Sequence, residues 1–200
     1  HTSLYPPIIK SYSSGNKDEM FSLVHNGSKL TFFLMWIVAL PLLLEMEMIL
    51  HIWLKDTPPD AVLFSQLIIV EALILSISFP VTTAARAPGK MKTYELTLGF
   101  FQLSILLFSW IILKMGYPAY SVFLVAIAVN ILMFFVRLVI VRGLIDLSVR
   151  RFMIKVTLPV AGVVVLSTIS SYVFQKMIPE SVFYSLIIIV FTVLVNVIAI

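Results

Sequence analysis

The chain has 200 residues, of which 60 % are apolar and only 12 % charged, with a mean hydropathy of +1.07. A water-soluble domain of this size needs a charged surface that such a composition does not supply, so the chain reads as an integral membrane protein. The net charge of +4 points to basic loops rather than to a nucleic-acid partner, and the absence of cysteine excludes a disulfide framework and a thiolate metal centre.

In chain order, residues 1–12 read as the end of an earlier helix. The stretch 17–28, "KDEMFSLVHNGS", is a short amphipathic element: Met20, Leu23 and Val24 share one helical face, and Asp18 and Glu19 suit a helix start. Gly27 is its expected stop, and its expected place is the membrane interface. Six apolar runs then follow at 30–53, 61–84, 96–113, 119–141, 156–175 and 181–200. Each is near the roughly 20 residues a helix needs to cross the hydrocarbon core. None shows the period-2 alternation of an outer-membrane strand. Short turns, "KDTPPD", "KMGYP" and "KMIPE", make consecutive helices antiparallel. Pro41, Pro80 and Pro159 fall inside runs, where each removes a backbone donor and can bend its helix.

The basic residues orient the bundle. Lys10, Lys17, Lys29, Arg86, Lys90, Lys92, Arg137, Arg142, Arg150, Arg151 and Lys155 fall at one end; only Lys55, Lys114 and Lys176 fall at the other. Eleven against three, on alternating connections, places the first end in the cytoplasm. The expected organisation is 1–28 as a helix end plus the interfacial element, 29–141 as four spans, 142–155 as a basic cytoplasmic loop, and 156–200 as two further spans. Both ends of the chain also read as cut, so the chain reads as a fragment with both ends cytoplasmic.

Catalytic signatures are absent: there is no GxSxG, P-loop or HExxH, and no clustering of histidine with carboxylates at ligand spacing, so the chain reads as neither an enzyme nor a metal protein. His51, beside Trp53, reads as an interfacial side chain. Ionisable groups inside the spans carry more information, because such groups are costly in hydrocarbon. Glu45 and Glu71, on neighbouring antiparallel spans, come to similar depth, about 12 and 15 Å from the outer end at a 1.5 Å rise per residue. They are the candidates for a proton or cation site lining a polar cavity; packing in the interior is the alternative. Glu47 points away from Glu45 and toward the outer interface. Asn130, mid-span, suits an interhelical hydrogen bond or a substrate contact. Arg137 reads as snorkelling to headgroups. In "TTAARAPGKMKTYE" (82–95), Arg86, Lys90 and Lys92 cluster around a helix-breaking Pro88–Gly89, and either hold a phosphate-rich headgroup or serve only positive-inside retention.

Three stretches carry a family likeness: "PPIIKSYSSGNKDEM" (6–20), "LPLLLEMEMILHIWLKDTPPDA" (40–61) and "SISFPVTTAARAPGKMKTYE" (76–95). In these the chain resembles the C-terminal part of polysaccharide-export flippases of the Wzx type, within the multidrug/oligosaccharidyl-lipid/polysaccharide exporter superfamily. Lys55 departs from the glycine common in the family after the Trp-Leu pair. The resemblance implies an all-α antiparallel bundle of six spans, helices nine to fourteen of a two-lobe, fourteen-helix transporter whose N-terminal lobe is missing here. It implies alternating-access translocation of a lipid-linked oligosaccharide across the bacterial inner membrane, without covalent chemistry or cofactor, coupled to a proton or sodium gradient. Glu45 and Glu71 are then candidates for coupling, and Arg86, Lys90 and Lys92 for pyrophosphate contact. A multidrug/cation antiporter of the same superfamily and a non-transport membrane protein of polysaccharide assembly are the alternatives.

Overall fold

In a computed structural model, the described residues are 5–54 and 56–177, with side chains described from Pro6 as far as Val173. They form nine α-helices and no strand: α1 (Tyr5–Ser13), α2 (Lys17–Leu44), α3 (Met46–Leu54), α4 (Ala61–Ser76), α5 (Phe79–Arg86), α6 (Lys92–Lys114), α7 (Ser121–Ile145), α8 (Val149–Phe152) and α9 (Leu158–Met177). Five stretches are long and apolar enough to cross a membrane: Lys17–Leu44, Ala61–Arg86, Lys92–Lys114, Ser121–Ile145 and Val149–Val173. The chain is therefore a helical, multi-pass membrane protein. The sixth expected span, 181–200, lies outside the described residues.

All three prolines within the spans lie near an interruption; before Pro80 and Pro159 it falls on the N-terminal side, where a proline's own chemistry puts it, whereas at Pro41 it comes one turn later. A proline cannot donate to the carbonyl four residues back, and its ring crowds that carbonyl. Pro41 lies inside α2, and one turn later the helix breaks at Glu45 before α3 begins. The side chain of Gln66 on α4 donates to the Leu43 carbonyl at the break, at 2.9 Å. A neighbouring helix thus supplies a partner for backbone that the break loosens, as apolar surroundings require. Pro80 opens α5 just after α4 has stopped at Ser76. Pro159 follows a π-helical turn, Met153–Thr157, which joins α8 to α9; a local π adjustment is one way a membrane helix re-satisfies the backbone that a proline frees.

The expected interfacial element at 17–28 needs correction. Gly27 does not stop the helix; α2 runs through it to Leu44, and the Gly27 carbonyl accepts a bond from Thr31 Oγ1 at 2.8 Å. The glycine that does break the chain here is Gly15, with φ of 75° between α1 and α2. The stripe chosen for its helical spacing is a packing stripe instead. Met20 and Val24 are fully buried in a core with Ile8, Val81, Ala84, Ala85, Leu147 and Phe152. An amphipathic pattern records which face is covered, and protein covers this one as well as headgroups would.

The span of α4 and α5 lies centrally, packed against α2 on one side and α7 on the other, while α6 covers α7 and α9 packs on α2. Trp36 of α2 donates to Ser167 Oγ of α9 at 2.9 Å. The outermost helix is α6, whose Phe100, Leu103, Leu106 and Trp110 are exposed. An unbroken apolar surface of this kind suits lipid rather than water. At the basic end, Lys17 meets Asp146 at 2.6 Å and Arg86 meets Glu95 at 3.4 Å, tying α2 to the end of α7 and α5 to α6.

Candidate functional site

A cavity of about 1030 Å³ runs between α2 and the α4–α5 span. Its α2 wall is the apolar row Leu30, Leu34, Met35, Val38 and Leu42, and its other wall includes Ile68, Ile69 and Leu75. Leu30, Leu34, Met35 and Val38 are all exposed, so the cavity is a cleft rather than a closed void. From Leu30 to Leu42 it extends roughly 18 Å along α2 at a 1.5 Å rise per residue. Its basic end is polar: Thr31, Thr82, Thr83, Arg86 and Arg137 converge there.

Arg137 is the residue that the sequence reading misplaced. Snorkelling was expected on the assumption that the span ends near residue 141. The helix instead continues to Ile145, which sets Arg137 about 12 Å, or two turns, inside its end. Its side chain is only 8 % exposed and faces the cleft from α7, and its Nε has no hydrogen-bond partner among the described residues. No carboxylate forms an ion pair with it among those residues. Nearby is Tyr94, fully buried, whose hydroxyl donates to Thr82 Oγ1 at 3.1 Å and which lies within electrostatic reach of Arg137. A buried cation without a counter-ion is costly, and an anionic group in the cleft would relieve that cost.

Of the expected cation cluster, only Arg86 lines the cleft, and Glu95 already pairs with it. Lys90 and Lys92 are exposed on the loop and at the start of α6, outside the cleft.

Glu45 and Glu71 have different surroundings. Glu71 accepts a hydrogen bond from Asn130 Nδ2 of α7 at 2.9 Å. Both residues lie about 14–15 Å from the same end of the bundle, counting from Ala61 and Ser121, and Asn130 is buried. Glu45 sits at the break between α2 and α3, 6 % exposed, with Oε1 unpartnered among the described residues. It lines a separate space of about 450 Å³ with Leu44, Glu47, Met48, His51 and Ile52. An unbroken helix would send Glu45 and Glu47 to different faces; the break at Glu45 lets both border one space. Neither Glu45 nor Glu71 lines the large cleft. Among the described residues there is no group of three or more His, Asp or Glu able to hold a metal ion.

Sequence reasoning also passed over a polar cavity at the basic end. His25 and Lys29 on α2, and Arg151 and Lys155 beyond α7, are two i, i+4 pairs that each share a helix face. That spacing is the signal that marks them. In comparisons with known proteins, the chain matches no protein-family model, no curated protein and no solved structure.

Proposed function

We propose that this chain is part of a transporter that carries a lipid-linked oligosaccharide across the bacterial inner membrane by alternating access, as the resemblance to Wzx-type flippases implies. The observation that carries the reading is the cleft along α2, apolar for most of its length and ending at a buried, unpaired Arg137. That gradient matches an amphipathic anion: a diphosphate at the arginine and apolar surface along Leu30–Leu42. Arginine suits the role because its planar fork meets two phosphate oxygens at once. The basic end of the bundle is then cytoplasmic, where such a lipid is loaded. The exposed α2 wall faces the partner lobe. The helix interruptions at Pro41, Pro80 and Pro159 are the places where these spans would bend during the cycle.

In this reading the polar work is divided between separate places. Arg137 and the threonines around it hold the anionic head. Glu45, buried and unpartnered at a helix break, is the better candidate for a coupling proton or sodium ion. Glu71 holds α4 to α7 through Asn130.

A cation antiporter is the second reading, favoured by the orphaned Glu45 carboxylate alone. Reconstitution separates the two. The full-length protein in sealed vesicles should move a fluorescent lipid-linked oligosaccharide to the opposite leaflet. Transport of a cationic dye against a proton gradient, with no movement of the glycolipid, would establish the antiporter instead.

A further inference from the structure

A second cavity, of about 510 Å³, lies at the basic end between the first half of α2 and the segment that joins α7 to α9. It is distinct from the cleft: the two share no lining residue. Its inner wall is His25, 8 % exposed, with its ring 5.8 Å from that of Phe152 and its Nε2 without a hydrogen-bond partner among the described residues. Three cations face that imidazole, Lys155, Lys29 and Arg151. Two carboxylates also border the space. Asp146 is engaged by Lys17 at 2.6 Å, which leaves Asp18 alone against three cations, a local excess of two positive charges.

Like charges do not gather around a buried imidazole for stability, since each raises the cost of the others. Positive-inside retention accounts for cations at this end of the bundle. It does not account for three of them converging from two separate stretches of chain on a buried, unsatisfied donor or acceptor. We propose that this cavity is a binding site for a phosphate group, with Lys29, Arg151 and Lys155 supplying the charge and His25 Nε2 the hydrogen bond at its floor. The phosphate belongs either to a soluble phosphorylated compound or to an anionic lipid headgroup, since the basic end of a bundle meets both. The site does not depend on the transport reading.

The test uses the full-length protein in nanodiscs of zwitterionic lipid, with inorganic pyrophosphate titrated and the melting temperature followed; binding to the folded state alone raises it. A second arm replaces a third of the lipid with phosphatidylglycerol. Two variants accompany the wild type: Lys29→Gln/Lys155→Gln, which removes exposed or half-buried cations of the cavity, and Lys90→Gln/Lys92→Gln, which removes as much charge from exposed positions outside it. A rise with pyrophosphate that the Lys29/Lys155 variant weakens identifies a soluble phosphate ligand of this cavity, a rise so weakened only with phosphatidylglycerol identifies a lipid headgroup, and a rise unchanged in that variant, as Arg137 alone would give, overturns the proposal. In either case the Lys29/Lys155 variant should weaken the response by about tenfold or more in ligand concentration, while the Lys90/Lys92 variant keeps it. No rise in either arm overturns the proposal, as does an equal loss in both variants, which would mark a diffuse charge effect.

Discussion

The contact between Glu71 and Asn130 allows a worked test of how α4 and α7 are held together. The bond is 2.9 Å long, its donor is 3 % exposed and its acceptor is half-buried. A hydrogen bond to a charged group in a water-soluble protein contributes about 1.5–3 kcal/mol. Between membrane helices measured couplings are smaller, about 0.6 kcal/mol on average and about 1.7 at most, because the separated helices find other partners. The membrane figure governs here, and the single buried donor places the expected coupling near 1 kcal/mol. The perturbation is Asn130→Leu, which preserves bulk and removes the donor, combined with Glu71→Leu in a double-mutant cycle. Unfolding in mixed micelles gives the four stabilities. Asn130→Leu alone should cost more than the double variant implies by simple addition, because it strands the Glu71 oxygen. A coupling within about 0.3 kcal/mol of zero, the range in which unrelated sites add, would refute the claim that this bond joins the two helices.

Glu71→Gln keeps an acceptor oxygen for Asn130 and should leave both stability and export of surface polysaccharide close to wild type; lost export at normal protein level would restore Glu71 as a charge-bearing transport residue. Glu45→Leu removes a buried, unpartnered oxygen and should stabilise the fold, by about 1 kcal/mol on the scale of an unsatisfied buried group, while abolishing transport; a lower melting temperature would show that Glu45 has a structural partner. Lys17 holds the Asp146 carboxyl below its ordinary value of 3.8. A depressed carboxylate adds stability above the unfolded value and loses it as pH falls through the folded one. The melting difference between wild type and Asp146→Asn should therefore be small near neutrality, both partners being exposed, should shrink as the pH falls below 3.8, and should vanish once the lowered folded value is passed. Asparagine tolerates the left-handed backbone at this position, with φ of 61°; a difference that grows on acidification would contradict the assignment.

Much of the architecture was legible in hydropathy and loop charge, because burial in lipid leaves long apolar runs and the basic residues mark alternate connections. The interruptions before Pro80 and Pro159 were legible too, since a proline disturbs the turn that precedes it. What sequence could not supply was the partner of each polar side chain. Depth along a helix brought Glu45 and Glu71 to one level, but rotation about each helix decides which side chains meet, and rotation put Asn130 opposite Glu71. Arg137 was misread through four residues of helix length, enough to turn a snorkelling side chain into a buried one. The stripe Met20–Leu23–Val24 was read correctly as a covered face and assigned the wrong cover. The cavity around His25 needs two stretches more than a hundred residues apart, a juxtaposition that only the fold reveals.

The central claim, that Arg137 receives the anionic head of a lipid in an apolar cleft, is tested most directly by binding. A polyprenyl diphosphate is titrated against the full-length protein in nanodiscs, for wild type, Arg137→Lys and Arg137→Gln, with melting curves confirming that each variant is folded. Loss of a charge-assisted, bidentate contact should weaken binding by about tenfold or more in Arg137→Gln. Arg137→Lys, which keeps the charge without the fork, should fall between the two. Equal affinity in all three folded proteins would contradict the account.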